Sequence, residues 1–326
     1  MSSLHQVTPP AEVLEALKAA KNVVLFTHIN PDGDGLGAEG ALAEALAAQG
    51  KRVVVQNTDP TPKTYAFLGL EKYKAPEGFV PDLAVALDCP VLQRLGAPAV
   101  ESLKGIAKIM VIDHHVPKEP FGSAGLVWVD DKAAATGQMM EALLSALGWA
   151  VTPTMASAMY AAVVNDTGCF RHSNTDQAVF ELASRLVKAG ADSKMVNRKL
   201  LDERPLAGVK LWATALSGLK VIAGGKAAMV TVSAAQLAAS GATWEDTDGL
   251  AETLRSIEGV EVSAMLREEG ALKAKLSMRS KYAFDVNAFA GQWGGGGHAK
   301  AAGATMAMPF GEAVAAVQAA LEKAVS

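Results

Sequence analysis

The sequence predicts an α/β fold: a parallel sheet with helices on both faces, followed by a smaller α+β domain. Three observations carry this. In the first half, apolar runs of four to six residues alternate with alanine- and leucine-rich stretches at helical spacing, the pattern of strands buried on both faces. In the second half, apolar runs pair around short turns such as Gly224-Gly225 and Glu268-Glu269-Gly270, the pattern of hairpins. The length of 326 residues exceeds what one core usually serves, at roughly 100–200 residues per domain.

Taken in order, 22–27 (NVVLFT) reads as a buried strand ending at His28. The stretch 36–49 reads as a helix stopped by Gly50, and 52–56 (RVVVQ) as the next strand. Strands 83–87 (LAVAL) and 109–112 (IMVI) end at Asp88 and Asp113. Helical patterns cover 136–147, 155–164 and 176–189. A helical stretch over 196–218, broken near Pro205, connects to the second part. There, 219–222 with 227–232 and 260–267 with 272–279 form two hairpins. A short helix over 285–293, a glycine loop at 294–297 and a closing helix over 312–325 complete the chain. The expected division is 1–195, a helical connector at 196–215, and 216–326.

Composition narrows the function. Hydrophobic residues make up 50% and charged residues 20%, an ordinary globular balance. No unbroken apolar run reaches the roughly 20 residues of a membrane span, despite a mean hydropathy of +0.18. The net charge of -4 is wrong for a protein that coats long duplex DNA. Two cysteines, Cys89 and Cys169, provide no disulfide framework. Glu12, Glu15 and Lys18 interrupt any signal-peptide pattern at the start. A soluble cytoplasmic protein is expected, and a homodimer is left open.

In sheets of this kind ligands collect beyond the carboxyl ends of the strands, and three of the four strands read in the first half end in His or Asp. The string His28-Ile29-Asn30-Pro31-Asp32-Gly33-Asp34-Gly35 packs one imidazole and two carboxylates into a turn forced tight by Pro and Gly. Asp88 follows a buried strand and is also placed to cap a helix whose first turn would hold Pro90. Asp113-His114-His115 puts three titratable groups at one strand end. Because neighbouring side chains of an extended segment point oppositely, these three split into one direct ligand and two orienting or acid-base groups. Asp166 lies in Asn165-Asp166-Thr167-Gly168, where a helix gives way to a turn. Mixed imidazole and carboxylate favours a divalent ion such as Mn²⁺, Fe²⁺, Co²⁺ or Zn²⁺. So many ligands suit two ions about 3.5–4 Å apart sharing a carboxylate.

The order His-x-x-Pro-Asp-x-Asp, strand-end Asp, Asp-His-His and Asp-Thr-Gly resembles the DHH phosphoesterase superfamily. Gly294-Gly295-Gly296-Gly297-His298 followed by Ala301-Ala302-Gly303 resembles its C-terminal DHHA1 domain. The layout is most similar to the nano-RNases, which also act as phosphatases on 3′-phosphoadenosine 5′-phosphate. The resemblance implies a DHH domain and a DHHA1 domain with a cleft between them. It implies two Mn²⁺ ions, with Mg²⁺ or Co²⁺ as substitutes: His28, Asp32 and Asp88 around one, and Asp34, Asp88, His114 and Asp166 around the other. Asp113 then orients an imidazole, and His115 is a phosphate contact or a proton donor. Asp113, His114 and His115 form the expected catalytic set.

The second domain is expected to clamp substrate. Gly295, Gly296 and Gly297 allow backbone N–H groups to approach a phosphate, and His298 adds a donor. Arg279 makes a forked contact with a terminal phosphate. Arg171, in Arg171-His172-Ser173-Asn174, lines the cleft or belongs to a plain polar loop. The absence of a basic stripe with interleaved aromatics points to short single-stranded RNA fragments and mononucleotides as partners, not long strands. Arg279-Ser280-Lys281 lacks the cation density that inorganic pyrophosphate needs. Rival readings are a cyclic- or linear-dinucleotide phosphodiesterase, a polyphosphatase or pyrophosphatase, and a metal-dependent nucleotide-binding regulator without turnover.

Overall fold

The structure, a computed structural model, describes residues 5–89, 91–115 and 125–325, the His298 side chain excepted. The Pro90 expectation and the donor role of the His298 side chain lie outside the described residues. Two units are present, Met1–Glu203 and Arg204–Ser326. The division falls inside the stretch read as a helical connector.

The first unit is built on five strands, β1 (Asn22–Phe26), β2 (Arg52–Val55), β3 (Leu83–Leu87), β4 (Ile109–Asp113) and β5 (Leu126–Val129). Their order is β2-β1-β3-β4-β5 and every pair is parallel. Side chains alternate between the two faces. Val23, Leu25, Val85, Leu87, Met110 and Ile112 meet a thick helical layer. It is made by α1 (Ala11–Ala19), α2 (Gly33–Ala48), α4 (Thr136–Leu147), α5 (Pro153–Asp166) and α6 (Gln177–Lys188). Val24, Phe26, Ala84, Ala86 and Val111 face a thinner layer that includes the short α3 (Ala97–Ser102). A further short helix, α7 (Ser193–Asn197), adds Val196 to the thick layer.

Chain direction reverses between β1 and β3: from β1 the chain runs outward to β2, then returns past β1 to β3. In a sheet of this order the reversal opens a crevice beyond the strand ends, where ligands bind. His28 follows β1 and Asp88 follows β3, so topology delivers both to that crevice.

The second unit carries a six-stranded sheet in the order β10-β11-β9-β8-β7-β6. Its strands are β6 (Lys220–Ile222), β7 (Ala227–Val232), β8 (Val262–Gly270), β9 (Lys273–Ser280), β10 (Gly296–His298) and β11 (Ala301–Met306). Only β7 and β8 pair in parallel. Leu211 and Ala215 of α8 (Leu206–Ser217) and Leu250 and Leu254 of α10 (Leu250–Arg255) pack on one face. Beside them, α9 (Ala234–Ser240) contributes the partly buried Leu237. Val286 and Phe289 of α11 (Val286–Ala290) and Val317 and Leu321 of α12 (Phe310–Ala324) pack on the other.

Three expectations change. A fifth strand, β5, extends the first sheet. The glycine loop at 294–297 is half strand, because Gly296 and Gly297 pair with Gly303 and Ala302. The short helix ends at Ala290 and passes into a 3-10 turn, Gly291–Trp293. β11 (AAGATM) went unread because Ala and Gly have low strand propensity. Its pairing with β9 on one side and β10 on the other imposes the extended form.

Candidate metal centre

Five strand and helix ends converge at the crevice. His28 leaves β1. Asp32 caps α2, its carboxylate accepting from the N–H groups of Asp34 and Gly35 at 3.0 and 3.3 Å. Asp34 lies in the first turn of that helix. Asp88 leaves β3, Asp113 ends β4 with His114 and His115 beyond it, and Asp166 is the last residue of α5. The helices can bring these ends together because they pack unusually close. A Cβ on Gly37 of α2 would stand 2.5 Å from the Ala158 carbonyl oxygen of α5, and one on Gly137 of α4 would stand 2.4 Å from the Ala162 Cβ. Backbone strain collects here too. Among the described residues, Asn30, Asp88, Cys169 and Phe170 have φ between 52° and 60°, and Ala223 is the only other non-glycine residue in that region. Such strain costs about 1–3 kcal/mol per residue and persists where surroundings dictate it.

Asp88 is the centre of the geometry. One of its oxygens, Oδ2, is 3.6 Å from His28 Nε2. The other, Oδ1, is 3.7 Å from His114 Nε2 and 3.3 Å from His115 Nδ1. Three groups of potential ligands result, each with its ligating atoms within 4.8 Å of one another: His28, Asp32 and Asp88; Asp34, His114 and Asp166; and Asp88, His114 and His115.

These groups fit divalent cations. His28 Nδ1 is engaged by the Ile29 carbonyl at 2.8 Å and His114 Nδ1 by the Ala133 carbonyl at 3.1 Å. That fixes each ring and leaves Nε2 facing inward, the arrangement of metal-bound imidazoles. Buried His114 Nε2 has no hydrogen bond among the described residues. Yet carboxylate oxygens of Asp166, Asp34 and Asp88 surround it at 3.0, 3.5 and 3.7 Å. The Asp34 and Asp88 oxygens, at 3.5 and 3.7 Å, lie beyond good hydrogen-bond range, so the carboxylates crowd Nε2 as charges converging on a point.

The electrostatics agree. Burial alone would lower the pKa of His114, but the Asp166 carboxylate beside Nε2, then the charges of Asp34 and Asp88, hold it up at about 10. His115 is held at about 11, against burial, by Asp113 and Asp88. His28 is raised well above its ordinary value, against burial, by Asp32 and Asp88. Burial, then the charges of Asp88 and Asp166, pushes Asp34 well up, and burial raises Asp166. Asp88 goes well below the carboxylate range because His115 and His28 outweigh its burial. Without cations, then, this cluster gathers protons to offset crowded carboxylates. Metal ions substitute for those protons.

The strand alternation invoked for Asp113-His114-His115 does not extend past the strand. The extended segment ends at Asp113, so strict alternation stops there, and both imidazoles turn toward Asp88 with ring centroids 4.6 Å apart. Asp113 orients His115, its Oδ1 meeting His115 Nδ1 at 2.7 Å. Arg171 donates from Nε to the Gly168 carbonyl, while His172 and Asn174 bond the Asp166 carbonyl. This stretch therefore shapes the loop carrying Asp166. In the second unit, Arg279 Nε is bonded to Glu252 and Nη1 to the Met278 carbonyl, so its guanidinium is held rather than solvated. Gly295 and Gly297 have a packing reason to be glycine, since added Cβ atoms would stand 2.3 and 2.4 Å from the Gly303 and Ala301 carbonyl oxygens.

Sequence reading missed the start of α4. Thr136 and Gly137 donate their N–H groups to the two oxygens of Asp34 at 2.6 and 2.8 Å, and Thr136 Oγ1 reaches Asp88 Oδ1 at 3.3 Å. The available signal was the Ala-Thr-Gly string opening a helix, where free N–H groups attract carboxylates.

Comparison with known proteins places this centre in a family. The DHH family N-terminal domain matches residues 22–163 and the DHHA1 domain residues 224–326. A protein of Thermus thermophilus named bifunctional oligoribonuclease and PAP phosphatase NrnA is 35% identical over 91% of this chain and 87% of its own. A Bacillus subtilis protein of the same name is 27% identical over 90% of this chain and 92% of its own. The crystal structure of an exopolyphosphatase-related protein from Bacteroides fragilis superposes with a TM-score of 0.89 over 98% of both chains at 24% identity, a likeness of fold. Carrying both domains and a full-length relative of this similarity, the chain belongs to the DHH phosphoesterases with a C-terminal DHHA1 domain.

Proposed function

We propose that the protein hydrolyses very short oligoribonucleotides to mononucleotides and removes the 3′-phosphate of 3′-phosphoadenosine 5′-phosphate to leave AMP, using two divalent cations, Mn²⁺ in first place. The observation that supports this best is Asp88, whose two carboxylate oxygens face different imidazoles. In this reading His28, Asp32 and Asp88 would hold one ion, and Asp34, His114, Asp166 and again Asp88 the other. The relatives' names supply the substrate classes.

Bound cations there polarise phosphoryl oxygens and lower the pKa of water from 15.7 towards ~7. The chain's own groups do the rest. Thr136 and Gly137 hold Asp34 in place, Asp113 holds His115 by Nδ1, and His115 is the proposed proton donor to the leaving oxygen. Two divalent ions contribute +4, which formally cancels the chain's net charge of -4. The second unit, with Arg279, Gly295–Gly297 and His298, is the proposed phosphate clamp. Inorganic pyrophosphate fits less well: Arg279 is engaged by Glu252, and Lys281 Nζ by the Ile257 carbonyl at 2.8 Å.

The test is incubation with Mn²⁺ and a 5′-phosphorylated diribonucleotide, with 3′-phosphoadenosine 5′-phosphate in parallel, and resolution of products. Mononucleotide and AMP release, abolished by a chelator, is expected. Absence of both products would remove the proposal.

A further inference from the structure

Glu39 lies on α2 with no exposed surface, and nothing in the proposed chemistry uses it. Its Oε2 accepts from Asn57 Nδ2 at 2.7 Å. Asn57 Oδ1 in turn accepts from the Thr27 N–H at 2.8 Å. The placement of that second bond is informative. The β1–β2 ladder continues as far as the Gln56 N–H on the Leu25 carbonyl. At Thr27 the Asn57 carboxamide replaces the backbone acceptor that the ladder would otherwise supply. An amide with one face on Glu39 and the other on Thr27 has a single orientation. Thr27 is the residue before His28, whose own successor is tied by the Ile29 N–H on the Arg94 carbonyl at 2.7 Å.

A buried carboxyl is costly, and burial pushes that of Glu39 up to about 8, against the hydrogen bond from Asn57 and the charge of His28. At neutral pH the group is therefore mostly the neutral acid, which can stay buried. A leucine in its place would fill the helix face without that cost, so the polar group calls for a reason.

We infer that Glu39 and Asn57 are positioning residues for the His28 side of the proposed metal centre: Glu39 orients the Asn57 carboxamide, and the carboxamide fixes the backbone from which His28 projects toward Asp88. The inference rests on the two-cation reading above.

The test is calorimetric titration of the full-length protein with MnCl₂, using Glu39→Gln, Glu39→Leu, Asn57→Ala, His28→Ala and the double variant His28→Ala/Glu39→Leu, each checked for folding by its circular-dichroism melt. His28→Ala is expected to weaken one class of Mn²⁺ site. Glu39→Leu and Asn57→Ala should weaken that same class about tenfold, the usual effect of losing a group that orients a ligand. Glu39→Gln keeps an oxygen for Asn57 and should keep the affinity. Adding Glu39→Leu to His28→Ala should change nothing further. An equal loss in the His28→Ala background, or unchanged affinity in both Glu39→Leu and Asn57→Ala, overturns the inference while leaving the metal centre standing. Unchanged Mn²⁺ binding in His28→Ala overturns both. Should Glu39→Leu fail to fold, Asn57→Ala and its double variant with His28→Ala decide the matter alone.

Discussion

Asp88 concentrates more of the site's chemistry than any neighbour, because each of its oxygens faces a different imidazole. Asp88→Asn preserves volume but removes one anionic oxygen and introduces a donor aimed at a cation. Both classes of Mn²⁺ site should weaken together, with roughly 100-fold or greater loss of kcat/KM, since a ligand matters at least as much as a group that merely orients one. Calorimetry and steady-state kinetics check it; loss of one class with the other intact would deny Asp88 its bridging place. Arg279 should behave differently. In the proposed clamp this residue, held by Glu252, binds substrate and takes no part in the chemistry. Arg279→Ala is expected to raise KM roughly tenfold, the value of one charge-assisted hydrogen bond, with kcat little changed. A fall confined to kcat would place the arginine in the chemistry itself.

Helix ends, not strands alone, assemble the centre, and they meet only because α2, α4 and α5 approach through glycine and alanine. This yields a paired expectation on α2. A glycine inside a helix normally loses about 1 kcal/mol to alanine, so Gly→Ala should stabilise where space permits. Gly40 has that space, its nearest neighbour to an added Cβ lying at 3.4 Å. Gly37 does not, since the atom at 2.5 Å is a backbone oxygen that cannot turn aside. Gly37→Ala should therefore destabilise by about 1–3 kcal/mol while Gly40→Ala is neutral or stabilising, both read from urea unfolding. The same contrast explains what the sequence disclosed. Runs such as LAVAL and IMVI announce buried parallel strands, and polar residues closing them announce a site. Glu39 and Thr136 carry no such mark: one sits among alanines and glycines on a helix, the other opens a helix as any cap might. Their roles depend on which helix faces which, information that resides in pairs of distant residues. β11 was hidden for a related reason, being extended only because its neighbours in the sheet require it.

Charge and protons tie the centre to the stability of the first unit. His114 and His115 bind protons more tightly in the folded chain, up to about 10 and 11, than in the unfolded chain, near 6.5. Their stabilising contribution is complete below that unfolded value and is lost as pH rises through the folded ones. Glu39 acts in the same direction from lower pH, its folded value of about 8 exceeding an unfolded value near 4.3. Over that interval the folded state holds the extra proton, so stability again falls as pH rises, by at most about 1.4 kcal/mol per unit for each group. Chelated protein should therefore melt at progressively lower temperature from pH 6.5 to 9. Mn²⁺ reverses the trend, because it displaces protons that are scarcer at high pH and stabilises in proportion to its affinity. The rise in Tm on adding Mn²⁺ should thus grow with pH across this range, with proton release visible as a buffer-dependent enthalpy in calorimetry. A metal-induced rise that is constant with pH, and no proton release, would mean that the cation binds away from these histidines.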